Sequence, residues 1–266
     1  MFLKNQLRQE YIANTSLHST TVDIILPTFN RSQQLSTAIQ SIISQIHQTW
    51  QLYICDDGST DSTNDLCKKY ENNSKIKYLK LPHKGVSAAR NSGLNQSCGK
   101  YISFLDSDNT WHPEYLSLMI TFLNKFSLDS AYCAARLIGN MEEQWLGDFF
   151  SWQACAEKNY IDLNCFMLTM PPEKIAFDEN LERFVDWDFI LAATKSSRTS
   201  YFPSPLVHYC NEKSKNRITT TVYQDTSTNY LKLIRDRHKS IMGNKENQDC
   251  RLGDRSIHCQ KQSITI

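Results

Sequence analysis

Short apolar runs alternate with stretches whose apolar residues recur every three or four positions, and this rhythm holds from Val22 to Leu105. Val22–Leu26 reads as a strand that stops at Pro27. Leu35, Ala38, Ile39, Ile42, Ile43 and Ile46 then keep the spacing of one helix face, with Ser32 placed to cap that helix. Leu52–Cys55 predicts a second strand, ended by Asp56-Asp57-Gly58-Ser59, and Asp61 or Ser62 caps a helix to about Glu71. Ile76–Leu81 predicts a third strand, Gly85–Ser97 an Ala-rich helix begun by a glycine, and Tyr101–Leu105 a fourth strand. Strands joined by helical crossovers with short links require a largely parallel sheet covered by helices on both faces.

Beyond Pro113 the rhythm loosens. Glu114–Asn124 and Asp186–Thr194 read as helices and Ala131–Ile138 as a strand, while residues 140–180 carry Trp145, Trp152, Pro171 and Pro172 with little periodicity. Residues 1–20 are polar and predict a loose arm. The stretch 236–266 is polar and repeatedly broken, which predicts a disordered tail. One domain over 21–235 follows, with halves at 21–110 and 111–235.

Composition narrows the classes. A chain of 266 residues with 40% hydrophobic and 21% charged residues can bury one substantial core. A net charge of +1, with no basic stripe carrying interleaved aromatics, excludes nucleic acid as the expected partner. No apolar run reaches membrane-spanning length, and the polar start does not read as a signal peptide. Nine cysteines without a C-x-x-C pair suggest reduced thiols in a cytoplasmic protein rather than zinc or a disulfide framework.

The candidate chemistry gathers where the predicted strands end. Pro27-Thr28-Phe29-Asn30-Arg31 links a strand to a helix; it is either a plain turn or a loop whose free N–H groups meet a nucleobase or phosphate, and it lacks the glycines of a dinucleotide fingerprint. Asp57 stands in an Asp-Gly turn, or accepts a hydrogen bond from a base or ribose. Arg90, in the third helix, is a solvated side chain or a partner for phosphate or carboxylate. Asp106-Ser107-Asp108 puts two carboxylates beyond a buried strand, where they need a cation, a partner or a raised pKa; Mg²⁺ or Mn²⁺ sharing its shell with substrate phosphates fits. Asp186 and Asp188 open a helix, as carboxylates favoured by its dipole or with one serving as a general base beside Trp187. His208 is a core residue or a late metal ligand.

The ordered series Ile25-Leu-Pro-Thr-Phe-Asn-Arg31, Ile54-Cys-Asp-Asp-Gly-Ser59, Gly85-Val-Ser-Ala-Ala-Arg-Asn-Ser-Gly93, Gly99-Lys-Tyr-Ile-Ser-Phe-Leu-Asp-Ser-Asp108, Phe177-Asp-Glu-Asn-Leu181 and Val185-Asp-Trp-Asp188 resembles the nucleotide-sugar glycosyltransferases of family 2 over residues 22–210. The resemblance implies a GT-A fold with a Rossmann-like, mostly parallel sheet, and an inverting, metal-dependent transfer from a nucleotide-diphospho-sugar, UDP-linked, to a saccharide or lipid-linked acceptor. Such reactions serve surface polysaccharide or glycan synthesis. By resemblance, Pro27–Arg31, Asp57, Arg90, Asp106 and Ser107 bind the nucleotide, with Phe29 near the base and Asp106 facing ribose or donor sugar. Asp108, with Asp106, holds Mn²⁺ or Mg²⁺, and Asp186 is the catalytic base. The sequence departs from the family pattern at Val185, where a glutamate precedes the base, at Asn109, and at Tyr209-Cys-Asn-Glu212, which lacks the late Arg and His. Trp145, Phe149, Phe150 and Trp152 are candidates for an acceptor groove or for peripheral contact with the inner face of a membrane. Two other classes compete: a non-catalytic nucleotide-sugar-binding module on a decayed transferase scaffold, and an aspartate-nucleophile phosphatase built on Asp106-x-Asp108-x-Thr110.

Overall fold

The computed structural model describes residues 1–138, 144–171, 173, 175–210 and 227–242. Its first segment is not a loose arm: Phe2–Ala13 forms helix α1 and Thr15–His18 a short α2. Leu3, Leu7 and Tyr11 share one face of α1, and Leu7 and Tyr11 are buried in the core. The polar face ion-pairs with a later helix, Arg8 Nη2 lying 2.6 Å from Glu114 and Lys125 Nζ 2.5 Å from Glu10.

Strands β1 (Val22–Thr28), β2 (Trp50–Asp56), β3 (Ile76–Lys80) and β4 (Tyr101–Phe104) pair in parallel in the order β3-β2-β1-β4. Helices α3 (Ser32–Ile43), α4 (Thr63–Lys68) and α5 (Val86–Gln96) make the crossovers. All seven residues of β1 are buried, the mark of a strand covered on both faces. Leu35, Ala38, Ile39 and Ile42 bury the inner face of α3; Ile46 falls beyond the helix and is exposed. Gly93 lets α5 lie tightly on the sheet, since a Cβ there would stand 2.9 Å from both Cys55 Sγ and Ile25 Cγ2.

The second half changes character. Short β5 (Asn109–Trp111) precedes α6 (Tyr115–Lys125), β6 (Ser130–Ile138), β7 (Gln144–Leu146), α7 (Trp152–Glu157), a 3-10 turn at Leu163–Cys165, β8 (Phe166–Thr169), α8 (Val185–Thr194), β9 (Thr199–Cys210) and α9 (Ser227–Met242). The sheet continues as β4-β8-β6-β9-β5, with β7 paired to β6. The β4–β8, β6–β8, β6–β7 and β5–β9 pairs are antiparallel and β6–β9 is parallel, so the mostly parallel expectation holds for the first half alone. Register against β6 shifts near Pro203 and Pro205 of β9, because proline cannot donate to a ladder and is tolerated where pairing is irregular. Helix α9 crosses the boundary at 236, and its Ile234 is fully buried. Residues 243–266, the remainder of the expected tail, lie outside the described residues.

Candidate active site

The carboxyl ends of β1, β2 and β4 point their loops to one edge, the place where open α/β sheets take ligands. Asn30, with a left-handed φ of 51°, joins the first two loops: its Oδ1 accepts from Thr60 N at 2.8 Å and Asp61 N at 3.3 Å, and its own N–H donates to Ser59 Oγ at 2.9 Å. Asp61 then serves two helix N-termini, accepting from Ser32 N at 3.1 Å and Thr63 N at 3.0 Å, which explains why neither Ser32 nor Ser62 caps with its side chain. Asp57 is buried and holds the third loop: its carboxylate accepts from Lys84 N at 2.8 Å and Gly85 N at 3.0 Å, and His83 Nδ1 lies 2.8 Å away. Gly85 adopts φ +94°, a left-handed conformation that suits glycine and starts α5. His83 in turn stacks on Phe29 at 4.2 Å between ring centroids. Phe29 keeps 40% of its surface exposed, with the imidazole stacked on one face of its ring. Pro27 and Thr28 are buried strand residues, and Thr28 Oγ1 has no hydrogen-bond partner.

The second cluster is ionic. Arg90 is buried in α5, with its guanidinium 2.8 Å from Asp106 Oδ1 and 2.5 Å from Asp186 Oδ1. It also lies over the Phe177 ring at 5.2 Å. The sequence placed Arg90 near the nucleotide; the fold makes it a bridge between two acids 80 residues apart in the chain. Asp106 is held further by Asn164, whose Oδ1 accepts the Asp106 N–H at 2.6 Å and whose Nδ2 donates to Asp106 Oδ2 at 3.2 Å. Both oxygens of Asp106 are thus engaged by protein. Asp108 instead pairs with Arg31 at 2.7 Å and stays partly exposed. Ser107, between the two acids, is buried.

Asp186 sits in the first turn of α8, reached through Phe184 in a left-handed conformation at φ 58°, and its side chain is 40% exposed. Partial burial among protein groups raises its pKa, Arg90 opposes the rise, and Asp106 adds to it. Arg90 itself is held charged by the two acids despite its burial. The neighbouring carboxyl of Asp162 is pushed up to about 6 by burial, with Asp106 and Asp186 contributing. Val185 and Trp187 are core residues, Trp187 Nε1 donating to the Cys155 carbonyl at 2.7 Å. Asp188 faces away from the cluster to α9, 2.9 Å from Arg237 and 3.0 Å from His238. Sequence reading missed Asp162, Asn164 and this α9 clasp; the only local signal was the Asp-x-Asn spacing of a turn.

Among the described residues no three His, Cys, Asp or Glu side chains converge to cage a metal. His208 lies beside His112, ring centroids 6.4 Å apart, and Thr110 is its partner across the β5–β9 ladder. It does not join the acids at the sheet edge. Asp108 is a hard-oxygen donor that suits Mg²⁺ or Mn²⁺ when phosphate and water complete the shell, whereas Asp106 is committed to Arg90 and Asn164. Of the candidate groove aromatics, Phe149 is strongly exposed, while Phe150 and Trp152 pack against the core. The side chain of Trp145 and residues 211–212 lie outside the described residues. Cys55, Cys67, Cys98, Cys133, Cys155 and Cys165 are free thiols, and no helix among the described residues is long and apolar enough to cross a membrane.

The model of the family described as Glycosyl transferase family 2 matches residues 23–168, more than half of the chain. A stretch of 120 residues is 34% identical to the UDP-Glc:alpha-D-GlcNAc-diphosphoundecaprenol beta-1,3-glucosyltransferase WfgD of Escherichia coli, covering 45% of this chain and 47% of that one. A glycosyltransferase of Rickettsia felis is 35% identical over 114 residues, 43% of this chain and 19% of its own length. The chain therefore matches less than half the length of either relative. Among solved structures, S. aureus TarS 1-349 in complex with UDP-GlcNAc superposes with a TM-score of 0.69 at 18% identity, over 86% of this chain and 68% of that one. The mannosyltransferase PcManGT of Pyrobaculum calidifontis, in complex with GDP-Man and Mn²⁺, gives 0.58 at 12% identity, over 79% and 66%. These likenesses identify the mixed sheet and its helices as a GT-A fold, and with the family match they establish that the chain belongs to glycosyl transferase family 2.

Proposed function

We propose that the chain transfers a hexosyl or N-acetylhexosaminyl group from a UDP-sugar to a hydroxyl of a saccharide or lipid-linked saccharide, with inversion at the anomeric carbon. One observation carries this reading: Arg90 draws Asp106, at the donor edge, and Asp186, at the head of α8, into a single cluster. In this reading the uracil stacks on the exposed Phe29 ring. Asp106 contacts a hydroxyl of the ribose or donor sugar. Asp186 accepts the proton of the acceptor hydroxyl, whose oxygen forms the new bond to the anomeric carbon as the bond to the diphosphate breaks. A carboxylate with a raised pKa is a better base than an ordinary aspartate, and the surroundings of Asp186 supply that rise. Asp108 would hold a divalent cation, which supplies positive charge for the leaving diphosphate when bound.

A UDP donor and a lipid-linked acceptor are supported by the substrates named for the E. coli relative. Such an acceptor would be met at the inner face of a membrane by a cytoplasmic, peripheral enzyme, with Phe149 at 70% exposure as a contact. The family assignment removes the phosphatase alternative. The deciding experiment measures UDP release from UDP-glucose, UDP-galactose and their N-acetyl forms, with lipid-linked and free saccharide acceptors, in Mn²⁺ and then EDTA. Release lost on Asp186→Asn, on Asp108→Ala and on chelation is the expected result. Tight UDP binding with no turnover on any donor would instead make the chain a nucleotide-sugar-binding module.

A further inference from the structure

Asn164 lies almost wholly buried in the 3-10 turn before β8, and every polar group it carries is spoken for. Its Oδ1 accepts the backbone N–H of Asp106 at 2.6 Å. Its Nδ2 donates to Asp106 Oδ2 at 3.2 Å and to Asp162 Oδ1 at 2.8 Å. Its backbone N–H donates to the same Asp162 oxygen at 2.8 Å, and its carbonyl accepts from Trp111 Nε1 at 2.9 Å. This set admits one orientation of the amide: the atom facing an N–H must be oxygen, and the atom facing two carboxylates must be the NH₂. The residue therefore grips the acidic loop at both ends, Asp106 through its side chain and Trp111 through its carbonyl. Asp162 fixes the grip from behind.

From this we infer that Asn164, anchored by Asp162, is a positioning residue that aims the Asp106 carboxylate at the sugar-bearing part of the donor. The inference rests on the proposed reading of Asp106, taken as a contact to the donor sugar rather than to the ribose, and it extends the site to a segment of the chain 58 residues downstream. Asn164 touches no reacting atom. Its effect passes through the placement of a hydroxyl-binding carboxylate, where an error near 1 Å costs on the order of a hundredfold in rate.

The test uses Asn164→Asp, which keeps the shape of the side chain but sets an oxygen against two carboxylates. Calorimetry measures Kd for UDP and for each of the four UDP-sugars in the wild type and the variant, with thermal melting to confirm the fold. The expected result is a UDP Kd changed less than about threefold, together with loss of the sugar's share of affinity, read as Kd(UDP)/Kd(UDP-sugar) falling about tenfold or more; a misplacement near 1 Å also lowers kcat/KM on the order of a hundredfold. Should Asn164→Asp fail to fold, Asp162→Ala leaves Asn164 in place and removes its anchor, and its smaller loss in the same ratio carries the same meaning. A ratio unchanged in a folded variant overturns the inference, as does a UDP Kd that weakens in step with the UDP-sugar Kd. The binding ratio needs no turnover, so a wild type that binds UDP-sugars without releasing UDP refutes the transferase reading and leaves this one standing. No binding of UDP or any UDP-sugar by the wild type overturns both.

Discussion

Replacing Arg90 by glutamine removes a buried cation between two carboxylates and should change stability and pH dependence together. The guanidinium is 4% exposed and lies 2.8 and 2.5 Å from its partners, so it is a buried charge whose loss strands two like charges. Breaking a buried pair costs about 3–5 kcal/mol. Asp186 is 40% exposed and solvent screens its share, which places the expected loss near the lower bound, about 3 kcal/mol. Urea unfolding at neutral pH measures this. The same substitution removes the term that lowers the pKa of Asp186 and leaves burial and Asp106, which both raise it. A base must be deprotonated to act, so the acidic limb of kcat/KM against pH should move to higher pH by about 1–3 units, the usual effect of one adjacent opposite charge. UDP release followed from pH 5 to 9 gives the profile. A folded variant that binds UDP and keeps the wild-type acidic limb would refute the bridging role of Arg90.

Phe29→Ala should weaken UDP binding by about 1–3 kcal/mol, the worth of one base–aromatic stack, with little change in melting temperature; calorimetry reads both, and unchanged affinity would remove the stacking role. Gly93→Ala drives a methyl into Cys55 and Ile25 and should cost about 1–3 kcal/mol by urea unfolding; a neutral result would mean that α5 can lift from the sheet. Asp162 titrates near 6 in the folded protein against an ordinary 3.8. Its folded-state pKa is raised, so its contribution to stability is present below about 4 and lost as pH rises through about 6. Asp162→Asn should therefore gain stability relative to wild type across that window, by at most about 3 kcal/mol, and a stability difference flat in pH would contradict the burial assigned to this carboxyl.

The first half of the fold was legible because parallel strands buried on both faces are written as near-continuous apolar runs: Leu52–Cys55 is such a run, and Val22–Leu26 and Tyr101–Leu105 are interrupted only by Asp23 and Ser103. The second half was less legible for identifiable reasons. Strand β9 carries Pro203 and Pro205, which argue against a strand in any local reading, and only the bulged partner β6 makes them tolerable. Helix α1 was readable in the four-residue spacing of Leu3, Leu7 and Tyr11, but its polar residues hid that face until Glu114 and Lys125 appeared opposite them. The acids at the sheet edge were legible as a motif. Their partners were not, because Asn164 looks like any turn residue in sequence and becomes specific only when tertiary structure sets it against Asp106.

In the sheet order, β4 and β5 are separated by β8, β6 and β9, yet four residues join them in sequence. Four strand spacings in a flat sheet span about 19 Å. The five steps from Phe104 to Asn109 reach at most about 18 Å even when fully extended. A turn in that link, with Asn109 N–H donating to the Asp106 carbonyl at 3.1 Å, shortens it well below that limit, so the sheet rolls toward itself, and the link that closes the roll is the segment bearing Asp106 and Asp108. That link works as a drawstring with the two acids threaded on it, so their placement against the parallel half is tied to the closing of the roll. A single glycine inserted between Leu105 and Asp106 would slacken the string without altering any acid, and it should lower UDP-sugar affinity while the parallel half keeps its hydrogen-exchange protection.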